Sequence, residues 1–312
     1  MRPLRTALGP YGHTRILKDG RVKPAGLTLD FVEVSPMNAG FRKMVRNLEY
    51  DICEVAITTY LIAKEFHKGF SALPIPINHM FHFGDVQVGT DTGIDTPRDL
   101  AGKRVGVRAY SVTTGVWVRG LLETEYGVDS ASITWVTDDE EHVTEYRPPA
   151  NVLASSGASL VDLFAQGDID AAFSGRAGLG RTNATTTREF RPLFPDAERL
   201  DASWYARTGI YPIHGVLCVR DDVLAENPAI PRILFDAFSQ AKEIYLADLA
   251  RNGPQSAEDE RWVGMQAIVG ADPLPFGLDA NRRTIETLID YAVTQKLVSK
   301  RPTLDELFVS IS

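Results

Sequence analysis

The stretch from Lys103 to Gly127, KRVGVRAYSVTTGVWVRGLLETEYG, restricts the fold more than any other part of the sequence. Its pattern predicts a buried strand at 104–107, a polar turn and an amphipathic helix that ends at Gly127. Because the first-turn N–H groups of a helix lack intrahelical partners, a turn of this kind attracts anions. We expect a carboxylate to bind there through Arg108, Tyr110, Ser111, Thr113 and Thr114. The alternative is that Thr113 or Thr114 acts only as a helix N-cap.

Strands and helices alternate along the rest of the chain. Segments 28–34 and 51–57 predict strands, and the apolar spacing within 41–48 predicts a helix between them. Segments 133–136 and 169–173 predict further strands after the stretch described above. Since an alternation of this kind is typical of parallel sheets, the sequence predicts an α/β protein.

The chain is long enough for two lobes. Its 312 residues exceed the size at which a single hydrophobic core usually stops growing. Turn-like segments near Gly89 and Tyr211 predict two crossings between the lobes. We therefore expect a discontinuous first lobe, 1–90 plus 211–312, a second lobe at 91–210, and a hinge at the crossings.

Composition excludes several classes of partner. The formal net charge is −8 and no cluster of Lys and Arg stands out, which argues against nucleic-acid binding. No apolar run approaches the ~20 residues of a membrane-spanning helix. The N-terminal segment lacks the apolar core of a signal peptide, so we expect a cytoplasmic protein unless an export signal has been removed. Cys53 and Cys218 lie in apolar, strand-like runs and are expected to be reduced thiols.

Polar side chains follow four of the predicted strands. Ligands of open α/β sheets bind outside the carboxyl ends of the strands, so these side chains predict a binding cleft between the two lobes for a small anionic molecule. After the predicted strand at 4–8, a loop carries Tyr11, His13 and Arg15. Thr58, Thr59 and Tyr60 follow 51–57, the turn at 108–114 follows 104–107, and Ser174 and Arg176 follow 169–173.

The run NHMFHFGD contains two histidines with open roles. On a helix, His79, His82 and Asp85 would form a metal-binding face, which keeps a metal-dependent lyase as one alternative. Strand-like sequence surrounds the run, however, and on a strand His79 and His82 point to opposite faces. We therefore expect no metal site, and expect His79 to line a pocket and His82 to transfer protons. His142 is expected to be solvated, and Arg119 is expected to pair with Glu123 on a helix surface.

Six segments together resemble the 4,5-dihydroxyphthalate decarboxylase family, in the same order and over most of the chain. That family is similar to type 2 periplasmic binding proteins, so the resemblance implies two α/β lobes with a ligand cleft between them. The segments are DGRVKPAGLTLDFVEV, FRKMVRNLEYDICEVAITTYLIAK, DLAGKRVGVRAYSVTTGVWVRGLLETEYGV, LFAQGDIDAAFSGRA, YARTGIYPIHGVLCVRDDVL and PFGLDANRRTIETLIDYAVTQKLVSKRPTLDELF.

The resemblance implies non-oxidative removal of one carboxylate from a dihydroxylated aromatic diacid, giving protocatechuate, without an organic cofactor. The implied partner is a small aromatic carboxylate, and a homo-oligomer stays open. Arginine suits carboxylates because its fork is bidentate, so Arg108 and Arg176 become the anchors beside the turn at 113–114. Histidine suits proton transfer near neutral pH, so His13 and His214 join His82 as candidates. A surface ion pair for Arg176 and a hydrogen-bonded core position for His214 are the alternatives.

One segment departs from the family pattern. Where the family has an Arg-rich run of the kind R-x-F-R-H-S, this chain has His79-Met80-Phe81-His82-Phe83-Gly84. Replacing cations by histidine and phenylalanine weakens the hold on a second carboxylate, which favours a related aromatic acid as the substrate or binding without turnover. A solute-binding protein for a small carboxylate or a thiamin-precursor-like ligand is therefore the alternative function.

Overall fold

The computed structural model of the protein describes residues 2–181 and 186–311. The strands are β1 (Leu4–Ala7), β2 (Leu29–Phe31), β3 (Ile52–Ala56), β4 (Phe70–His79), β5 (Val86–Gly89), β6 (Arg104–Gly106), β7 (Thr134–Thr137), β8 (Val152–Ala154), β9 (Ala171–Phe173), β10 (Phe190–Pro192) and β11 (Ile213–Arg220). The helices are α1 (Gly12–Lys18), α2 (Met37–Asn47), α3 (Ile57–Glu65), α4 (Thr113–Tyr126), α5 (Leu160–Gln166), α6 (Ala197–Thr208), α7 (Asp221–Glu226), α8 (Ile230–Asn252), α9 (Ala257–Val269), α10 (Leu278–Thr294) and α11 (Leu304–Leu307).

Backbone contacts divide the chain into two compact units. The first unit comprises Met1–Met80, Ile213–Ile285 and Pro302–Ser312, and the second comprises Phe81–Pro212 and Glu286–Arg301. Within residues 2–181 and 186–311, no helix combines the length and the apolar character needed to cross a bilayer.

The first unit contains a five-stranded sheet in the order β2-β1-β3-β11-β4. β1 runs parallel to β2 and β3, whereas β11 runs antiparallel to β3 and β4. In the register, Gly215 is opposite Ala56 and Ile213 is opposite His79. The carboxyl ends of β1, β3 and β4 therefore lie at the same edge of the sheet as the beginning of β11.

Apolar side chains from this sheet and from α8 form the core of the first unit. Ile52 of β3, Leu217 of β11, and Leu234 and Phe238 of α8 all belong to it and are buried. All five residues of β3, ICEVA, are buried. A strand that is covered on both faces needs an almost continuous apolar run, and Glu54 is the single charged residue in this one.

The second unit contains a six-stranded sheet in the order β10-β5-β9-β6-β7-β8. β6 runs parallel to β7 and β9, and β5 runs antiparallel to β9 with Val86 opposite Phe173. The carboxyl ends of β6, β7 and β9 therefore share one sheet edge with the residues that precede β5. Val136, Leu160, Phe164 and Ile169 form an apolar cluster against this sheet.

The limits of the units differ from those expected from the sequence. The expected boundary at residue 90 assigns β5 to the first lobe, yet β5 pairs with β9 and β10 in the sheet of the second unit. Residues 286–301 also belong to the second unit, so the division falls within α10. Long-range strand pairing and helix packing decide both points, and neither leaves a pattern in the local sequence.

Candidate functional site

One edge of the sheet in the first unit collects polar side chains from four strands. These side chains lie after β1 and β3, at the end of β4 and at the beginning of β11. The strand directions place these four points at one edge of the sheet. The residues expected from the sequence that lie along this edge are Tyr11, His13, Thr58, Thr59, His79 and His214.

His13 lies in the first turn of α1 and is fully buried. Its ring stacks on that of Tyr11, with the two centroids 5.7 Å apart and an interplanar angle of 7°. Neither ring nitrogen has a hydrogen-bond partner in the described part of the chain. Burial, reinforced by the charges of Arg261 and Lys242, lowers the pKa of His13 to about 3. The imidazole is therefore neutral at neutral pH, where it can accept a hydrogen bond but neither carries a proton to donate nor holds one taken from another group.

The segment after β1, expected to be a loop, forms α1. Residues two apart on a helix do not face the same way, so Arg15 is separated from His13. Arg15 is exposed, and its Nη2 lies 4.0 Å from Oδ1 of Asp259. The structure therefore does not bring Arg15 together with the buried histidine.

The remaining expected residues of this edge are mostly buried. Thr58 and Thr59 lie in the first turn of α3, which begins directly after β3. His79 ends β4 and is buried, and its carbonyl oxygen accepts a hydrogen bond of 2.8 Å from Arg261. His214 is half-buried in β11.

The sequence interpretation missed Glu54. This side chain is fully buried, and it accepts hydrogen bonds from the backbone N–H of Gly9 at 3.0 Å and from the hydroxyl of Tyr11 at 2.8 Å. Burial raises the pKa of Glu54 to about 7. A single acid inside the otherwise apolar run ICEVAI was the pattern that could have revealed it.

In the second unit, the turn between β6 and α4 already holds a carboxylate. The carboxylate of Glu141 accepts a hydrogen bond from the N–H of Tyr110 at 2.8 Å and from the N–H of Ser111 at 3.3 Å, and also one from the Ser111 hydroxyl. Burial raises the pKa of Glu141. The expected anion-binding turn therefore does bind a carboxylate, but this carboxylate belongs to the chain itself.

The neighbouring loop also occupies Arg108. Nη1 of this buried arginine lies 3.2 Å from Oδ2 of Asp139 and 3.5 Å from Nε2 of His142. His142 is itself buried, so the expectation of a solvated histidine is wrong. The loop from Asp139 to His142, here called the acidic loop, follows β7 and contacts the turn after β6. His142 is buried in it, Asp139 and Glu141 are half-buried, and Glu140 is exposed.

The hydroxyls of Thr113 and Thr114 do not act as the cap of α4. The N-cap is Val112, without a side-chain cap hydrogen bond, and both threonines are buried in the first turn. The alternative that either one is the N-cap is therefore wrong.

Arg119 is fully buried, which contradicts the expectation of a surface pair with Glu123. Its Nε donates to Oε1 of Gln295 at 2.7 Å, its Nη2 donates to the carbonyl of Tyr110 at 2.6 Å, and its guanidinium carbon lies 3.8 Å from the centre of the Tyr110 ring. Burial lowers the pKa of Arg119. The buried guanidinium of Arg119 therefore holds Tyr110 of the turn in place. The i, i+4 spacing of Arg119 and Glu123 had indicated a surface pair instead.

The sheet edge of the second unit also carries Ser174 and Arg176 after β9. The N–H of Ser174 donates to the carbonyl of Asp85 at 2.8 Å, and the N–H of Arg108 donates to the carbonyl of Ala177 at 2.7 Å. These contacts link the strand ends of β9 and β6 with the segment before β5. The side chain of Arg176 is exposed on a short 3₁₀ turn, which leaves it less constrained than Arg108.

His82 lies at this same edge. Its Nδ1 is 2.8 Å from Oδ2 of Asp85, and the imidazole is fully buried. Asp201 of α6 accepts a hydrogen bond of 3.3 Å from the N–H of Phe83, and burial raises the pKa of Asp201 to about 7. A histidine oriented by one carboxylate, with a second acid beside the same turn, suits proton transfer. Asp201 escaped the sequence interpretation because its helix was not predicted.

Among residues 2–181 and 186–311, no three His, Cys, Asp or Glu side chains are grouped so that they could hold a metal ion. The metal-dependent lyase built on His79, His82 and Asp85 therefore finds no support in the geometry.

Solved structures establish the fold type. The periplasmic sulfonate-binding protein SsuA of Methylobacillus flagellatus is 12% identical with a TM-score of 0.57, over 99% of this chain and 92% of its own. A Candida albicans gene product described as having the generic periplasmic-binding-protein fold is 16% identical with a TM-score of 0.54, over 99% of this chain and 96% of its own. The protein therefore has a periplasmic-binding-protein-like α/β fold.

Two curated relatives carry the same name. A 4,5-dihydroxyphthalate decarboxylase of Comamonas testosteroni is 30% identical over 318 residues, which cover 98% of this chain and 96% of the relative. A second 4,5-dihydroxyphthalate decarboxylase, from Pseudomonas putida, is 29% identical over 65% of this chain and 81% of its own length. No protein-family model matches the sequence. On the similarity to the Comamonas protein, which spans nearly the whole of both chains, the protein belongs to the 4,5-dihydroxyphthalate decarboxylase family.

Proposed function

We propose that the protein catalyses the non-oxidative decarboxylation of a hydroxylated phthalate-type acid, 4,5-dihydroxyphthalate to protocatechuate or a closely related reaction. The observation that carries this proposal is the carboxylate held between Tyr110 and Ser111. Its partners are two backbone N–H groups and one hydroxyl, which are donors that an aromatic carboxylate would use equally well. The names of the relatives supply the reaction class.

For a ligand to bind at this turn, the carboxylate of Glu141 must leave it. The ligand carboxylate then accepts the same hydrogen bonds. Arg108 gives up its contact with Asp139 and binds the ligand instead. Because the incoming carboxylate replaces the half-buried carboxylate of Glu141, the N–H groups of Tyr110 and Ser111 keep an acceptor after the exchange. This exchange makes the acidic loop part of the binding event.

The reaction also needs a base and an acid. Removing the proton of a ring hydroxyl pushes electrons into the ring, and the ring carbon that loses the carboxylate must gain a proton. Buried His13 is neutral, so its ring nitrogens can accept a hydrogen bond from the ring hydroxyl and orient that hydroxyl for the electron push. We assign this orienting role to His13, and we keep His82 and His214 as the candidates for proton transfer.

The direct test is to incubate the purified protein with 4,5-dihydroxyphthalate and to measure released carbon dioxide and protocatechuate. We expect both products in equal amounts without an added organic cofactor. Ser111→Ala should raise KM because it removes one of the three donors, whereas Ser203→Ala, an exposed serine of α6, should leave KM unchanged. A protein that binds the diacid and releases no gas would contradict the enzymatic function.

That outcome would favour the second candidate, a solute-binding protein for a small carboxylate. The carboxylate-holding turn of the second unit supports this function as well as it supports catalysis, because binding needs only the donors. Calorimetric titration with phthalate, which lacks the ring hydroxyls needed for electron push, distinguishes the two candidates. A binding protein would take phthalate and the dihydroxy acid with similar affinity and would transform neither.

A further inference from the structure

Glu54 is an acid that stability alone does not explain. It lies in the middle of β3 with no exposed surface, and in the described chain its two oxygens take only the N–H of Gly9 and the hydroxyl of Tyr11. No cation lies within ion-pair distance of it among these residues. Burying a carboxyl group without a cation costs free energy, so an apolar residue at this position would make the folded protein more stable.

The backbone makes room for this carboxyl group on both sides. A Cβ atom added to Gly9 would lie 2.5 Å from a ring carbon of Tyr11 and 3.0 Å from Oε2 of Glu54, and one added to Gly215 would lie 3.0 Å from Oε1. Gly9 follows β1, and Gly215 lies in β11. Two separate elements therefore lack a side chain at the point where Glu54 needs the space.

Tyr11 is the end of this pair that a ligand can reach. Its side chain is half-buried, whereas Glu54 is fully buried. Burial, and next the charge of Glu54, raise the pKa of Tyr11 well above its usual value, so the phenol keeps its proton. Its ring stacks on the imidazole of His13, to which we assign the orientation of the ring hydroxyl.

The charged groups around the pair act in both directions. Lys18 of α1 favours the ionised form of Glu54, although burial dominates and raises the pKa to about 7. From α9, Arg261 favours the ionised form of Tyr11 and Glu258 opposes it. Burial raises the pKa of the Cys53 thiol on β3 and of the Cys218 thiol on β11, so both thiols stay neutral.

We propose that Tyr11 donates the proton that replaces the departing carboxylate and that Glu54 resupplies Tyr11 with that proton. This inference rests on the proposed decarboxylase function. Tyr11 is a catalytic residue in this assignment, and Glu54, which acts through it, is a positioning and proton-supplying residue.

The step balances without a further reactant. The bond between the ring carbon and the carboxylate breaks, its electron pair stays on the ring carbon, and carbon dioxide leaves. For this step the 2.8 Å hydrogen bond reverses: the Tyr11 hydroxyl, which donates to Oε1 in the structure, turns to the ring carbon, and the protonated carboxyl group of Glu54 donates to the phenolic oxygen. The ring carbon then takes the phenolic proton of Tyr11 while Glu54 passes its own proton to the phenolic oxygen. Glu54 is left as a carboxylate and regains a proton from solvent before the next turnover.

The experiment measures kcat and KM for 4,5-dihydroxyphthalate across the pH range in the full-length protein. In the wild type, kcat should fall on the alkaline side as Glu54 loses its proton. Tyr11→Phe should lower kcat by about 10²-fold with little change in KM. Glu54→Gln should lower kcat similarly and should remove that alkaline decrease, a change that loss of a merely structural residue would not produce.

Glu258→Gln is the matched control. Glu258 is a half-buried glutamate that accepts a hydrogen bond of 3.0 Å from the N–H of Gly12, and its replacement should leave the alkaline decrease in place. Wild-type pH dependence in Glu54→Gln, or wild-type kcat in Tyr11→Phe, would overturn the inference while the decarboxylase function stands.

A second measurement does not depend on turnover. The infrared carbonyl band of a protonated carboxylic acid, taken as the difference between the wild type and Glu54→Gln, follows the protonation of Glu54 directly. We expect this band to persist at about pH 6, where an ordinary glutamate is ionised. Its absence there would overturn the inference. Its presence in a protein that releases no carbon dioxide would locate the failure in the proposed function instead.

Discussion

Replacing Glu54 by glutamine should change how the stability of the protein depends on pH. The free carboxyl group of a glutamate titrates near 4.5, and burial raises the pKa of Glu54 in the folded protein to about 7. Between these two values the folded state binds more protons than the unfolded state. The stabilisation that the protonated group provides is therefore complete below 4.5 and is lost as the pH rises through 7.

The size of the effect follows from the difference between the two pKa values. A difference of roughly 2.5 units at about 1.36 kcal/mol per unit corresponds to about 3 kcal/mol of unfolding free energy. Glutamine has nearly the same shape, keeps an acceptor for Gly9 or Tyr11, and does not titrate. The variant should therefore match the wild type near pH 5 within about 1 kcal/mol and exceed it near pH 8 by about 3 kcal/mol.

Urea unfolding at the two pH values measures this difference. The control is Glu243→Gln, which removes an exposed glutamate from α8 and should change stability equally at both pH values. The reasoning would be refuted if the difference in unfolding free energy between the wild type and Glu54→Gln were the same at acid and alkaline pH.

Three further predictions concern Glu141, Arg119 and His13. Glu141→Gln removes the charge of the internal carboxylate, so a ligand should displace this side chain more easily and bind about tenfold tighter, as measured by calorimetry. Unchanged or weaker binding, or the same gain in the exposed control Glu145→Gln, would contradict the exchange of carboxylates at the turn. Arg119→Met loses two charge-assisted hydrogen bonds and should lower the unfolding free energy by about 2–4 kcal/mol in urea; a loss within about 0.5 kcal/mol, as expected for a surface residue, would contradict the assigned contacts. The pKa of His13 falls from 6.5 to about 3 on folding, so protonation destabilises the fold as the pH drops through this range. His13→Asn should therefore reduce the loss of unfolding free energy at acid pH by up to about 5 kcal/mol. An unchanged dependence of the unfolding free energy on pH in this range would refute the burial argument.

Local patterns in the sequence predicted the strongly periodic elements. The apolar spacing at 41–48 and the run at 51–57 correspond to α2 and β3, and the stretch at 103–127 corresponds to β6, the turn and α4. These elements have strong periodicity and clear ends, such as the left-handed Gly127 that closes α4. α1 and α6 were not predicted, since neither has a distinct apolar periodicity or a side-chain N-cap.

The candidate site was only partly predictable. The sequence correctly indicated that polar side chains gather at strand ends, because the directions of the strands bring these ends to one edge in each sheet. Which side chains are buried, paired or occupied was not predictable. Arg119 and His142 have surface-like patterns and are buried, and the donors of Ser111 are taken by Glu141, which is thirty residues away in the chain.

The sequence by itself determined the α/β class, the strongly periodic elements and the family, because periodicity and residue identity are local properties of the chain. Tertiary structure alone decided the protonation of Glu54 and His13 and the occupation of the turn by Glu141. The physical reason is that a pKa and a hydrogen bond depend on which distant residues exclude water and supply partners, and that is settled only when the strands pair and the loops pack.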